Sequence, residues 1–309
     1  MRVVEDLRDN LFSMMQTDPA LTVIGEDILD PYGGAFKVTK GLSDAFSDRV
    51  ITMPISESAI VGLGLGMALR GRRVVAEIMF GDFMALTLDQ ILNHAAKVQW
   101  MFNDAVRAPL VIRTPMGGGR GYGPTHSQSI EKHFCGIPGL TVLAVHQYAS
   151  PGALLKRAVS LGTPVLFVEN KISYSKLVEP DRIKTPANPD AVLVTYGGMT
   201  EMCVKAADRL EADEELSIKV IPVEQLSPFP SSTVVEQVGG ASRVFCVEEG
   251  TEEWGFGAAV AEALLRKGRR PEHFETIAAA SMPIPSARDW ELSMLPNVDR
   301  VINTVLNGF

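Results

Sequence analysis

The sequence predicts an α/β protein: a doubly wound, mostly parallel sheet followed by a second, smaller α/β domain. Three observations carry that prediction. Short β-branched runs alternate with longer segments of helical periodicity, which is how a parallel sheet covered by helices on both faces reads in sequence. A polar stretch, Val178–Asp190, holding Pro180, Pro186 and Pro189, interrupts the alternation and reads as a linker. The alternation then restarts. At 309 residues, 46% of them hydrophobic, the chain is long enough to bury one large or two medium cores. Residues 1–178 and 190–309 are therefore expected to form the two domains.

The first twenty residues are charged throughout and read as an amphipathic helix without the apolar stretch of a signal peptide. Strands follow at Leu21–Gly25, Arg49–Met53, Arg73–Ile78, Pro109–Arg113, Leu140–Val145 and Pro164–Glu169. Between them Glu57–Arg70, Leu86–Phe102 and Pro151–Leu161 carry helical patterns. Beyond the linker the expected order is strand Ala191–Tyr196, helix Glu201–Glu211, strand Ile218–Pro222 and helix Ser231–Val238. Strand Arg243–Val247, helix Phe256–Lys267, strand Phe274–Ala279 and helix Val298–Asn307 complete it.

Composition narrows the function classes. The net charge of −8 lacks the basic excess of a nucleic-acid-binding surface, so no nucleic-acid partner is expected. Charged residues make up 21% and form no long like-charge block, which removes disorder as a reading. Cys135, Cys203 and Cys246 are odd in number and widely spaced, which argues against a disulfide framework and a zinc site and fits a reducing cytoplasm. No apolar run reaches the length that spans a membrane, so no membrane partner is expected either.

Three segments could carry chemistry. In Met53–Gly66 a strand ends and Glu57 opens a helix whose next turns are small and apolar. Open α/β sheets bind ligands at the carboxyl ends of their strands. The ordinary reading of a first-turn acid is that it answers the helix dipole. Gly62, Gly64 and Gly66 lie inside the helical pattern, not in a strand-to-helix turn, so they are no dinucleotide fingerprint and point to close helix packing. In Glu77–Phe83, again after a strand, Phe80 and Phe83 are either core or the wall of a site for a flat ring. In Pro115–Ser129, five glycines within the seven residues 117–123 lead to His126. Such a loop is costly in backbone entropy, and a histidine beside it can donate, accept or move a proton near neutral pH. There is no GxSxG nucleophile elbow, no activated cysteine context and no HExxH-type metal cluster.

These segments, in this order, resemble the β subunits of the decarboxylase component of 2-oxo acid dehydrogenases, such as those acting on pyruvate, branched-chain 2-oxo acids and acetoin. The resemblance runs through Gly25-Glu26-Asp27, Gly33–Leu42, Arg49-Val50, Pro54–Glu57, Glu77–Phe80, Asp89–Asn93 with Ala95–Lys97, His126–Ser129 and Pro138–Leu140. In the C-terminal half it continues at Val247–Gly250, Gly255–Gly257 and Met282–Pro285, so it covers nearly the whole chain. It implies a thiamine-binding, pyrimidine-type domain followed by a transketolase-type C-terminal domain.

What the resemblance implies about the site is specific. Glu57 matches the residue that bonds the aminopyrimidine ring nitrogen N1′ of thiamine diphosphate and promotes loss of the thiazolium C2 proton, in a pocket expected to be apolar and dry. Phe83 aligns with an aromatic lining the pyrimidine pocket, and Leu86 with a neighbour of the cofactor. His126 matches a histidine at the active-site entrance that positions substrate and the incoming lipoyl group. The GDG motif and paired asparagines that hold Mg2+ and the diphosphate belong to an α-type subunit. This chain holds only Gly81-Asp82-Phe83 and carries no metal ligand of its own. An α2β2 assembly is therefore implied, with a lipoyl acyltransferase or carrier protein as further partner. The segment Val223–Phe229 lacks the arginine of the family's Asp-Leu-Arg turn, a departure at the expected acyltransferase interface. Some relatives hold a structural K+ near the position of Ala158; Leu161 and Thr163 differ in type, so that ion does not carry over. Two other activities share the fold: a two-subunit transketolase-like enzyme moving a two-carbon ketol unit, and a non-catalytic binding subunit.

Overall fold

The computed structural model describes residues 1–309. Helix α1 (Val3–Thr17) leads into β1 (Leu21–Gly25), a short α2 (Leu42–Ala45), β2 (Val50–Thr52), α3 (Glu57–Leu69) and β3 (Arg73–Glu77). Next come α4 (Ala96–Met101), β4 (Leu110–Met116), β5 (Thr141–Ala144), α5 (Pro151–Ser160) and β6 (Val165–Asn170). Past the proline-rich stretch lie β7 (Ala191–Thr195), α6 (Met199–Glu214), β8 (Ile218–Pro222), β9 (Gln225–Ser227) and α7 (Ser231–Val238). The chain closes with β10 (Arg243–Thr251), α8 (Phe256–Arg266), β11 (His273–Ala279), α9 (Arg288–Met294) and α10 (Val298–Asn307).

The strands form a seven-stranded sheet of order β2-β1-β3-β4-β6-β5-β9 and a four-stranded sheet of order β11-β10-β7-β8. Every pairing is parallel except β5 with β9. Parallel strands need helical crossovers, and the crossovers cover both sheet faces. On one face Ile24, Val74, Leu110, Ile112 and Leu166 pack with Ile60, Val61 and Leu65 of α3. On the other Leu21, Val23, Val75, Val111 and Phe167 pack with Leu7 and Leu11 of α1 and Leu154 and Leu155 of α5. Burial from both sides is why β1 and β6 are buried along their whole length instead of alternating. Gly64 shows how closely α3 lies on the sheet: a Cβ there would sit 3.0 Å from Leu110 Cδ1.

The proline-rich stretch is pinned to α6 by the ion pairs Arg182–Asp208 and Lys184–Glu211. The two sheets share apolar packing, because the cluster around α3 runs on to Val192, Val194, Val244 and Cys246 of the second sheet and Val260 of α8. No helix is long and apolar enough to cross a membrane.

Besides the short α2 and a β10 that runs on from Val247 to Thr251, four details differ from the sequence expectation. The helix expected over Leu86–Phe102 is broken. Gly81–Thr87 is a 3-10 helix, Gln90–Ala95 a π-helix, and only Ala96–Met101 is α-helical. Thr87 Oγ1 donates to the Met84 carbonyl at 2.7 Å, inside the 3-10 turn. β4 continues past Arg113 to Met116, so the glycine loop begins at Gly117. β9, three residues long, leaves the C-terminal half to pair with β5; so short a run carries no readable period. α9 also escaped the pattern, because of its seven residues only Glu291 and Met294 are buried.

Candidate active site

The expected site residues follow strands of the seven-stranded sheet, each on the carboxyl side of its strand. Glu57 follows β2, Phe80 and Phe83 follow β3, and the glycine loop follows β4; β1 and β3 separate β2 from β4. Carboxyl ends of adjacent parallel strands, with a helix N-terminus aimed at them, are where this fold leaves room for a ligand.

Glu57 is the first residue of α3, and Ser56 before it makes no side-chain cap. The free amides of that turn favour a carboxylate there. The residue is only 6% exposed, so the acid is held in a largely dry place, as the sequence implied. Glu26, at the end of β1, faces the same place. Loss of hydration, then the Glu57 carboxylate, push its pKa up to about 7, against a Ser56 backbone amide that favours its charge. Glu26 Oε1 is buried without a hydrogen-bond partner. Two neighbouring acids cannot both ionise cheaply, so at neutral pH Glu26 retains a large share of a proton. Glu26 lies in the Gly25-Glu26-Asp27 motif directly after β1, and that place at a strand end, like the one that singles out Glu57, is the sequence signal for it.

Beneath them lies a buried ion cluster. Arg113, 1% exposed, donates to both Glu169 oxygens at 2.7 and 2.6 Å and to Glu77, while Tyr174 donates to Glu169 at 2.6 Å. Opposite charges on both sides push the Arg113 pKa up against its burial. The cluster ties the ends of β3, β4 and β6 into one floor. Phe36 stacks on Tyr174 at 5.2 Å and meets Phe80 edge-on at 5.8 Å, which carries the floor into an aromatic wall.

His126 joins that wall. Its ring is edge-on to Phe80 at 4.9 Å and to Phe83 at 5.2 Å. Thr125 Oγ1 lies 3.1 Å from His126 Nδ1, and the His126 carbonyl accepts from Lys171 Nζ. Lys171 is fully buried, and desolvation pushes its pKa down. Gln128 donates its backbone amide and its side-chain amide to Asp82 Oδ1, at 3.1 and 2.9 Å, closing the loop's far end on the segment that carries Phe83. Phe83 is half-buried against the core and lines the histidine's surroundings. Leu86 is separate: at 59% exposure it lies at the end of the 3-10 helix and projects outward.

The segments from β2 to the end of α4 leave several large apolar side chains exposed. Ile55 is 84% exposed, and Leu63, Leu86, Leu88, Trp100, Met101 and Phe102 are also exposed. Exposed apolar groups in such number mark a surface that something covers. A cavity of about 760 Å³ lies elsewhere, lined by residues including Glu131, Tyr196, Phe229 and Trp254. No group of three or more His, Cys, Asp or Glu is placed to hold a metal ion.

The chain matches two families described as the transketolase pyrimidine-binding domain, over residues 2–176, and the transketolase C-terminal domain, over residues 182–301. It is 34% identical to the pyruvate dehydrogenase E1 component subunit beta of Rhizobium meliloti, over 99% of this chain and 69% of that protein. It is 31% identical to the 3-methyl-2-oxobutanoate dehydrogenase subunit beta of Mycobacterium tuberculosis, over 98% of this chain and 90% of that one. Among solved structures, a chain described as a split gene transketolase in an inactive beta4 tetramer shares the fold at a TM-score of 0.80 and 21% identity, covering 100% of this chain and 98% of the other.

Proposed function

The chain belongs to the family of 2-oxo acid dehydrogenase β subunits, built from transketolase pyrimidine-binding and C-terminal domains, and from that premise we propose that it is half of a thiamine-diphosphate-dependent enzyme that decarboxylates a 2-oxo acid and passes the acyl group to lipoyl. The observation that carries the reading is the dry carboxyl pair Glu57 and Glu26; beyond β3 and β4, Phe80, Phe83 and His126 add an aromatic wall.

The residues present fit the aminopyrimidine half of the cofactor. A flat heterocycle needs an aromatic wall and an acid for its ring nitrogen, and the site offers both. The unpartnered Glu26 Oε1 shows polar capacity left open at the site. When bound, thiamine diphosphate supplies a carbon nucleophile that becomes an electron sink for decarboxylation. Glu57 holds the proton at the aminopyrimidine ring nitrogen. Glu26, which keeps its own proton near neutral pH, limits the charge repulsion that Glu57 meets. Phe83 walls the pyrimidine, and Leu86 contributes to the apolar margin. His126, held edge-on by two phenyl rings, orients the substrate carboxylate and then the lipoyl sulfur through its imidazole nitrogens.

A partner completes the site. The exposed apolar belt from Ile55 through Phe102 fits an α-type subunit that carries the diphosphate and Mg2+ ligands, in an α2β2 assembly, with a lipoyl acyltransferase as the downstream partner. Free thiols at Cys135, Cys203 and Cys246 fit a cytoplasmic setting. The test is to reconstitute the chain with its α-type subunit and measure CO2 release from 2-oxo acids with and without a lipoyl acceptor. Lipoyl-dependent release is expected. Ketose cleavage that needs no lipoyl would replace the reading with ketol transfer, and failure to bind thiamine diphosphate would leave a binding subunit.

A further inference from the structure

The glycine loop that leads to His126 has almost no side chains with which to hold its own shape. Gly117, Gly119, Gly121 and Gly123 all adopt positive φ, and none of the loop's residues lies in a strand or helix. Two of its amides close the loop on itself, Gly117 to the Gln128 carbonyl and His126 to the Gly123 carbonyl, and two others reach acceptors far along the chain. Gly118 donates to Glu249 Oε1 at 2.5 Å, and Gly121 donates to Glu291 Oε2 at 2.6 Å. The segment from Ser286 to Leu295 lies along the loop: a Cβ at Gly118 would sit 2.8 Å from Leu295 Cδ1, one at Gly121 3.2 Å from Arg288 Cβ, and one at Gly123 2.9 Å from Ser286 Oγ. Arg288 Nε adds a long contact, 3.4 Å, to the Gly119 carbonyl. The positive φ of Gly121 and Gly123, with side chains of that segment against them, leaves these positions to glycine.

Glu291 stands out. It is 0% exposed, belongs to the short helix α9, and forms no ion pair. Its Oε1 is buried without a partner. Burying a carboxylate that makes one hydrogen bond costs stability, so retention of an acid here has a local reason in the amide it accepts from.

We propose that Glu291 is a positioning residue for His126: from the C-terminal half of the chain it anchors the Gly121 amide and so sets where the loop presents the imidazole. The loop is then held at both ends of its glycine run, by Glu249 at Gly118 and by Glu291 at Gly121, before Lys171 fixes the His126 carbonyl. The C-terminal half thereby acts on acyl transfer without touching substrate. This inference rests on the entrance role proposed for His126.

Two variants test it. Glu291→Met removes the acceptor while filling its volume. Glu291→Asp keeps the charge but withdraws it by one methylene, and it reads the same contact if the Met variant fails to fold. In the full-length chain, amide hydrogen exchange of residues 117–128 is expected to accelerate about tenfold in either variant, with exchange in the four-stranded sheet unchanged. Glu291→Gln, which keeps a carbonyl acceptor, is expected to restore most of the protection. Unchanged loop exchange, or acceleration spread evenly over the chain, overturns the proposal. In the reconstituted enzyme, Glu291→Met and His126→Ala should each lower acyl transfer to lipoyl, and the double variant should be no slower than His126→Ala alone. Losses that multiply overturn the coupling. If the wild-type assembly transfers nothing to lipoyl, the functional reading fails while the exchange measurement still decides the anchor.

Discussion

Glu57→Gln separates a catalytic acid from a structural one, because the two roles move stability in opposite directions. The substitution keeps size and hydrogen-bonding capacity but removes the ionisable proton. If Glu57 holds the proton at the aminopyrimidine nitrogen, deprotonation at C2 of bound thiamine diphosphate should slow by about 10²–10⁴-fold, the usual worth of a positioned acid–base group. Stability should not fall. Glu26 is raised to about 7 first by burial and then by the Glu57 charge. The whole displacement from its ordinary 4.5 corresponds to roughly 3 kcal/mol. Glu57 accounts for a minor, partly screened share, so removing its charge should relieve about 1 kcal/mol above pH 7. For a chain of this length that is a rise of about 1–2 °C in melting temperature. The assays are hydrogen–deuterium exchange at C2 in the reconstituted enzyme and thermal melts at pH 8. Exchange at the wild-type rate would refute the assignment. A melting temperature several degrees lower would show that the carboxylate is there to hold the fold.

The remaining expectations use the same geometry. Arg113→Met leaves Glu77 and Glu169 buried without their cation and should cost about 3–5 kcal/mol, seen as a lower urea midpoint. His126→Ala should spare decarboxylation with an artificial electron acceptor more than transfer to lipoyl; equal losses would remove the entrance role. Stability should also fall as pH rises. Burial raises Glu26, Glu248 and Glu249 from 4.5 to about 7, so between those values the folded chain keeps protons that the unfolded chain has released, and stability present at low pH is lost by about pH 7. His146, pushed down to about 4 by burial, works the other way between 4 and 6.5, but one histidine offsets only one of the three carboxyls, so a net decline is expected between about pH 5 and 7 in urea titrations.

Much of this protein was legible before any coordinates. Runs such as Leu21–Gly25 and Arg73–Ile78 announced strands because a parallel sheet buries both faces and leaves unbroken apolar stretches. The placement of Glu57 and Phe83 after β2 and β3 was legible because strand ends are written in one stretch of chain. What the sequence did not show is that Leu86, near the end of a 3-10 turn, is exposed on this chain.

What local pattern could not supply is whatever depends on residues meeting across the fold. Glu26 follows β1 and Glu57 opens α3, and the charge state of Glu26 follows from its burial and from the approach of Glu57. Arg113, Glu77 and Glu169 become one ion cluster only because β3, β4 and β6 lie side by side. The loop bearing His126 takes its shape from Glu249 and Glu291, more than 120 residues further on, and a glycine run has no side chains with which to declare that dependence. Hydrophobic period and strand-end position are properties of neighbouring residues and survive in one dimension. Desolvation and charge repulsion act through space between parts of the chain that only folding brings together.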